Sequence, residues 1–187
     1  MLHALLLTLS LSSQAGGPID ITEQELTRYV NQNAKYQQQY GLPGLFDVDV
    51  NIDSMQVLLG RQKAGMAQVQ SNGHFTLSLP GKPAVDGTIS ADFEAKPRYQ
   101  IQSGAVYLDN FTLTHYQIKP TEVQEEFAPL VGYLVQGLQS RLAQQPAYVL
   151  NTHDKDQRWL KQHVTRFELL PGKLRLHTDV HKTGAAQ

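Results

Sequence analysis

The spacing of apolar residues predicts one long helix over residues 122–144. Residues at intervals of three and four fall on a single stripe of a helix, and such a stripe has to be buried against another element. We expect a capping box of Thr121 and Gln124 at the start of this helix and a kink caused by Pro129. The apolar stripe comprises Val123, Phe127, Leu130, Val131, Leu134, Leu138 and Leu142.

A shorter helix is predicted closer to the N-terminus. Thr22 and Glu25 have the spacing of a capping box, in which the threonine hydroxyl accepts the Glu25 amide and the carboxylate accepts the Thr22 amide. The residues that follow keep a helical period. We therefore expect the helix to continue as far as Gly41, where a Gly-Leu-Pro-Gly turn ends it.

At Phe46 the pattern changes to a strict alternation of apolar and polar residues, which is typical of a half-buried strand. Three further alternating segments follow, separated by turn residues, and together they predict an antiparallel meander. Asn72-Gly73 allows either a hairpin turn between two short strands or a bulge within one long strand. The segments are Met66–Leu79, Val85–Ala95 and Ala105–Ile118, with turns at Pro80–Pro83, Lys96–Pro97 and Ser103–Gly104.

These patterns predict an α+β fold in which long helices are wrapped by a strongly curved antiparallel β-sheet. Strands of roughly twelve to fifteen residues exceed the usual length of about five or six, and twist accumulated over such strands curls a sheet into a trough. The long helix, alone or with the first helix, would fill that trough. After the long helix along the chain, we expect a short strand at Ala147–Leu150, a helix at Asp154–His163, and a hairpin of Phe167–Leu170 with Leu174–Val180.

Residues 1–15 have the features of a signal peptide. A leucine-rich core at residues 4–11 leads to Ser13-Gln14-Ala15, which fits a small-x-small cleavage site. The core is too short to span a bilayer. The positive charge that usually precedes such a core is missing, which fits either a true start further upstream or a buried N-terminal strand in place of a signal peptide. With cleavage, residues 16–187 would form a single α+β domain in the periplasm or cell envelope.

Composition and charge argue against several function classes. The 187 residues include 16 basic side chains, 17 acidic side chains and no cysteine. Near-neutral charge without a basic cluster argues against nucleic acid as a partner, and the absence of cysteine removes disulfides and thiolate chemistry. The sequence has no nucleophile elbow and no glycine-rich nucleotide-binding motif. We therefore expect a protein that is not an enzyme and has no cofactor.

Metal binding is not favoured either. The alternating acidic residues from Asp47 to Asp53 resemble the start of an EF-hand loop, but Ile52 stands where that loop needs a glycine. On a strand, His177 and His181 would lie about 13 Å apart, which is too far to share one ion. We expect the acidic residues to face solvent along a strand.

Three stretches carry a family resemblance: Ile21–Glu25, Gly41–Gly44 and, most specifically, Gln144–Leu150. They resemble the YceB-like family of bacterial envelope lipoproteins, in order, over most of the chain. The resemblance implies a fold similar to the tubular lipid-binding superfamily, in which a strongly bent antiparallel sheet surrounds a long helix. It favours one long strand through Asn72-Gly73. Lipid attachment in that family needs a cysteine at the cleavage site, and this chain has none there, so the resemblance leaves membrane association open.

Two functions remain open from the sequence. The first is binding of a lipid or other hydrophobic molecule between helix and sheet, where an acyl chain gains about 0.8 kcal/mol per buried methylene. The alternative is a closed, ligand-free core in a module that binds another envelope protein, through a strand edge or through the tyrosines Tyr36, Tyr40, Tyr133 and Tyr148. The ligand groove would be lined by Phe93, Phe111, Leu113, Phe127, Leu130, Leu134 and Leu138.

Overall fold

The computed structural model describes residues 17–33 and 37–179. The predicted signal peptide, Tyr36 and His181 lie outside these residues. Along the described chain the elements are β1 (Ile19–Thr22), α1 (Glu23–Asn33), β2 (Gln37–Leu42), β3 (Phe46–Leu59), β4 (Ala67–Ser78), β5 (Val85–Gln100), β6 (Ala105–Lys119), a 3-10 turn (Thr121–Val123), α2 (Gln124–Gln144), β7 (Tyr148–Val149), α3 (Lys155–His163), β8 (Val164–Leu170) and β9 (Lys173–Thr178).

The fold is mainly β, and the predicted class of long helices wrapped by a curved sheet is wrong. Strands hold 51% of the described residues and helices 27%. The physical reason lies in the core, because most of the buried apolar side chains belong to strands. Among the described residues, the three helices contribute only Phe127, Val131 and Leu160 to that set. The strands therefore build the core, and the helices pack against what the strands have formed.

A six-stranded antiparallel sheet forms the body of the protein, with the strand order β2-β3-β4-β5-β6-β7. The predicted meander is confirmed for β3 to β6, and the sheet is curled into a half-barrel. A smaller sheet with the order β1-β9-β8 stands beside it. α3 packs Leu160 against the small sheet, and its N-cap is Asp154, whose carboxylate accepts hydrogen bonds from the amides of Asp156 and Gln157.

Asn72 and Gly73 lie inside the single strand β4, so the hairpin alternative is wrong. The irregularity belongs to the neighbouring strand, where the pairing shifts by one residue between Ile52 and Ser54. A Cβ atom on Gly73 would collide with the carbonyl oxygen of Asn51. Glycine is therefore required where the bulged strand comes closest.

β5 continues through Lys96 and Pro97, where the sequence predicted a turn. β4 pairs with β5 only as far as Ala95, so beyond that point no strand of the described chain pairs with this edge of β5. Proline is tolerated at such an edge because its missing amide proton is not needed by a neighbour. The pairing with β6 also shifts by one residue between Glu94 and Lys96, and this irregularity next to Pro97 lets the strand continue past the proline.

Helix α1 begins as predicted but ends earlier. The Thr22 amide donates to Glu25 Oε2 at 2.7 Å and the Glu25 amide donates to Thr22 Oγ1 at 3.2 Å, which confirms the first capping box. The predicted continuation to Gly41 is wrong, because α1 ends at Asn33 and residues 37–42 form β2. All six β2 residues pair with β3, and these ladder bonds outweigh the local helical preference.

Polar side chains on one face of α1 bind the edge of β3 beyond Asn51, where the pairing of β3 with β2 ends. The Met55 amide donates to Asn31 Oδ1 at 2.8 Å, and the Val57 amide donates to Thr27 Oγ1 at 2.9 Å. The Leu59 amide donates to a Glu23 carboxylate oxygen at 3.3 Å. Four helical residues rise about 6 Å and two strand residues about 6.6 Å, so helix and strand stay in step. We call this arrangement the polar ladder: Glu23, Thr27 and Asn31 against Leu59, Val57 and Met55.

Helix α2 lies along β6, with Gln139 Nε2 donating to the Phe111 carbonyl at 3.0 Å. The predicted capping box at its start is wrong, since Thr121 lies in the 3-10 turn and the helix begins without a side-chain cap. The helix runs through Pro129 to Gln144. Among the described helices, none has the length and hydropathy to cross a membrane.

Candidate functional site

Two clusters of buried side chains occupy the two ends of the molecule. The first cluster joins β3, β4 and β6 to the start of α2, and its centre is the Phe75–Phe127 ring pair, with centroids 4.5 Å apart. The second cluster joins α3 to the small sheet through Leu160, Val164 and Leu176. The first cluster consists of Phe46, Val48, Phe75, Leu77, Ile118, Phe127 and Val131.

Between the clusters lies a band of partly exposed apolar side chains on α2, β5 and β6. Phe93 and Phe111 stack with centroids 5.1 Å apart and are both partly exposed. Leu134 and Leu138 of α2 are also only partly buried. We call these four residues the apolar band. Since Gln139 binds the Phe111 backbone, this part of α2 lies beside the aromatic pair.

The structure divides the seven predicted lining residues into two groups. Phe127 is fully buried in the first cluster, and Leu113 and Leu130 pack against that cluster from outside. Phe127 therefore belongs to the packed core, whereas Leu113 and Leu130 keep part of their surface exposed at its margin. The other four form the apolar band, which lies outside both clusters.

Sequence reasoning missed an open groove at the end of the six-stranded sheet. We call it the end groove; it has a volume of about 600 Å3. Leu42, Phe46 and Leu79 form its inner wall, and all three also contact the first cluster. The full lining is Gln39, Gly41, Leu42, Pro43, Gly44, Leu45, Phe46, Asp47, Ser78, Leu79 and Pro80.

Two matching Leu-Pro-Gly turns shape the end groove. The Leu45 amide donates to the Leu42 carbonyl at 2.9 Å, and the Lys82 amide donates to the Leu79 carbonyl at 3.1 Å. Gly44 and Gly81 have φ of 78° and 75°, as the third position of a type II turn requires. Both turns stand at the same end of the sheet, because β3 starts where β4 ends. The repeated Leu-Pro-Gly motif was the sequence signal for this site.

Two tyrosines away from the end groove have raised pKa values that fit structural roles. Burial raises the pKa of Tyr148, whose hydroxyl donates to Gln157 Oε1 at 2.7 Å. Burial also raises the pKa of Tyr99, whose hydroxyl has no hydrogen-bond partner among the described residues. Both phenols stay protonated at neutral pH, so neither supplies a base. Within the described chain, no three His, Asp or Glu side chains come together as metal ligands.

Two of the tyrosines considered as a docking surface, Tyr133 and Tyr148, lie in different parts of the molecule. Tyr133 packs edge-on against Phe46 with centroids 6.0 Å apart, at the start of β3. Tyr148 belongs to β7, the last strand in the order of the large sheet, and packs against Tyr29. The structure therefore separates these two tyrosines.

Comparison with known proteins places the chain in a family. The family model described as "Protein of unknown function (DUF1439)" matches residues 21–173. The chain belongs to the DUF1439 family. This DUF1439 protein is 26% identical to the uncharacterized lipoprotein YceB of Salmonella typhimurium and 25% identical to YceB of Escherichia coli, each over 156 residues. Both alignments cover 82% of this chain and 83% of the relative. The predicted resemblance to YceB-like proteins is confirmed.

A solved structure also shares the fold of the DUF1439 chain. The crystal structure of P47 of Clostridium botulinum E1 matches with a TM-score of 0.54 at 11% identity. The match covers 89% of this chain and 45% of that protein, so the DUF1439 chain spans less than half of its length. At such low identity the likeness concerns the fold alone.

Proposed function

We propose that this DUF1439 protein binds a lipid or other hydrophobic molecule against α2 and the inner face of the curled sheet. It would act as a binding protein of the cell envelope and would not be an enzyme. The envelope location is supported by the YceB relatives, which are named lipoproteins. The observation that carries the proposal is the apolar band, whose side chains stay partly exposed although both neighbouring clusters are closed.

The energetics favour a hydrocarbon chain as the ligand. Covering the apolar band would remove aromatic and aliphatic surface from water at about 25 cal/mol per Å2. A chain of about twelve to sixteen carbons gains about 10–13 kcal/mol from its own burial, against association costs of about 4–15 kcal/mol. A bound chain of that length would therefore offset most of the cost of association.

The test is native mass spectrometry of the purified protein, with and without added lipid. We expect wild-type protein to carry acyl-chain adducts, and the double variant Leu134→Gln, Leu138→Gln to lose most of them. A matched control is Gln136→Ala with Ser140→Ala, which changes the exposed face of the same helix. The control should keep the wild-type adducts.

Two outcomes would count against lipid binding. Wild-type protein that stays free of adducts after incubation with lipid would refute it. Equal amounts of adduct in wild type and the double variant would show that the ligand does not bind at the apolar band. A single envelope protein captured by crosslinking at the band, in place of lipid, would support the alternative of a protein-binding module.

A further inference from the structure

The end groove differs in chemistry from the apolar band, because it has an apolar part and an acidic part. Pro43, Leu45 and Pro80 form the outer apolar part, and 65% of Leu45 is exposed to solvent. On the opposite face of the sheet end lie Gln39 and Asp47. Among the described residues that line the groove, none is basic.

The Asp47 carboxylate is the one charged group among the described lining residues. Gln39 Nε2 donates to its two oxygens at 3.2 and 3.0 Å. Since Gln39 is a neutral amide, no charge within the described groove lining offsets the carboxylate, which offers about four acceptor positions. A cationic amine at this point would form a charge-assisted hydrogen bond, whereas an anionic head group would be repelled.

Gly41 keeps this carboxylate accessible. It pairs with Asp47 across the ladder, and a Cβ placed on it would lie 3.6 Å from Asp47 Oδ2 and 3.1 Å from the Phe46 carbonyl oxygen. A side chain here would therefore cover part of the carboxylate. The two Leu-Pro-Gly turns add rigidity, because proline fixes one φ angle in each turn.

We propose that the end groove binds an amphiphile that carries a cationic amine, with the amine at Asp47 and the hydrocarbon chain across Leu45 and the two Leu-Pro-Gly turns. A volume of about 600 Å3 lies within the usual range for small-molecule sites, about 300–1,000 Å3. The inference rests on the proposed function for the hydrophobic character of the ligand. It adds the head-group chemistry and a second set of residues.

The experiment compares dodecylamine, dodecanol and dodecanoate, each titrated below its micelle concentration into wild-type protein by calorimetry. We expect the amine to bind about tenfold more tightly than the carboxylate, with the alcohol between them. Asp47→Asn should bring the three affinities close together. Asp49→Asn is the matched control, since Asp49 lies two residues further along the same strand and outside the groove lining.

Gly41→Ala provides a second variant that leaves the charge in place. This substitution should weaken the binding of dodecylamine severalfold. Thermal unfolding should show that the protein remains folded. Two results would overturn the inference: an unchanged order of affinities in Asp47→Asn, or wild-type protein that binds none of the probes. If the Leu134→Gln, Leu138→Gln variant loses its lipid adducts while Asp47→Asn leaves probe binding unchanged, the proposed function stands and this inference fails.

Discussion

At the scale of single residues, the missing side chain of Gly87 leaves the space that a core phenylalanine ring fills. Gly87 pairs with Phe75 across the ladder between β4 and β5. A Cβ on Gly87 would lie 2.5 Å from Phe75 Cζ and 2.5 Å from the Lys119 carbonyl oxygen. The phenylalanine ring therefore occupies the space over the glycine, where it packs against Phe127.

We expect Gly87→Ala to lower the free energy of unfolding by about 1–3 kcal/mol, because the added methyl group overpacks the first cluster. Urea denaturation monitored by circular dichroism measures the change. The control is Gly132→Ala on α2, where a Cβ would meet no atom within 4 Å. That substitution should stabilise the protein by about 0.5–1 kcal/mol, since alanine is the better helix former. Equal effects at the two positions would contradict this account.

Sequence reasoning succeeded at this scale where the chemistry is local. The capping box of Thr22 and Glu25 was found because its two residues are three positions apart, although the same spacing at Thr121 and Gln124 does not form a cap. The role of Gly87 depends on Phe75 and Lys119, which meet it only through strand register. The same holds for Asp47, which was predicted to face solvent and becomes interesting only beside Gly41 and the two turns.

At the scale of elements, α1 replaces a missing strand with side chains. Thr27 both accepts the Val57 amide proton and donates to the Val57 carbonyl oxygen, at 2.9 and 3.4 Å. Asn31 does the same for Met55, at 2.8 and 2.6 Å. The free edge of β3 is thus satisfied by a helix that presents a polar group every fourth residue.

Thr27→Val should therefore be costly although the two side chains have nearly the same shape. It leaves the Val57 amide and carbonyl without partners, and an unsatisfied buried polar group costs about 1–3 kcal/mol. Hydrogen exchange should show faster exchange at the Val57 amide, together with a lower midpoint of urea unfolding. Arg28→Ala, on the exposed side of α1, should change neither. Unchanged exchange at Val57 in the Thr27 variant would show that the polar ladder does not protect this edge.

The same helix marks a limit of sequence reasoning. The periodic pattern predicted a helix through to Gly41 and an apolar face as its contact surface. The structure has β2 from Gln37 and docks α1 partly through polar residues, Thr27 and Asn31. A polar residue at every fourth position is also typical of a solvent-facing surface. The sequence therefore could not show that this face meets a strand.

At the scale of the whole molecule, Glu23 joins the small sheet to the larger one, and Asp20 holds the strands of the small sheet together. The Glu23 amide donates to the Gly172 carbonyl at 3.1 Å, and the Gly172 amide donates to the Leu59 carbonyl at 2.8 Å. Arg61 binds the Glu23 carboxylate, with Nε 2.9 Å from Oε1, and holds the pKa of Glu23 below its ordinary value. Within the small sheet, Asp20 binds Arg175 and Lys173, which hold the pKa of Asp20 well below its ordinary value.

These shifts predict a loss of stability in acid. Both folded-state pKa values lie below the ordinary values of 4.5 for Glu23 and 3.8 for Asp20, so the unfolded chain takes up protons first as the pH falls. The stabilisation is complete above the ordinary values and is lost as the pH falls through the folded-state values. We expect the free energy of unfolding to decrease from about pH 5 towards pH 2.

The double variant Asp20→Asn, Glu23→Gln tests this origin of the acid sensitivity. It should be less stable than wild type at neutral pH and should show a smaller decrease between about pH 5 and pH 2. Glu122→Gln, at an exposed position of the 3-10 turn, should retain the wild-type profile. Urea denaturation at a series of pH values provides the measurement, and parallel profiles for all three proteins would refute the assignment.

Most of the strands and helices could be predicted from the sequence. The share of the buried core that each of them supplies could not. Alternation identified β3 to β6, and the apolar period identified α2 to within two residues. The error was to give the long helix the central role, because a continuous stripe does not reveal how much of it becomes buried. In the structure Phe127 and Val131 are buried, while Leu134 and Leu138 stay partly exposed. The part of α2 with Leu134 and Leu138, which was predicted to be core, is therefore the candidate ligand surface.

The polar ladder also bears on how copies of this protein behave towards each other. An unpaired strand edge is a template on which a neighbouring chain can add, which leads to swapped dimers or fibrils. Here the edge of β3 from Met55 to Leu59 is covered by a helix that is held partly by hydrogen bonds. Conditions that detach α1 would uncover this template. The first sign of damage would then be self-association, before the buried clusters come apart.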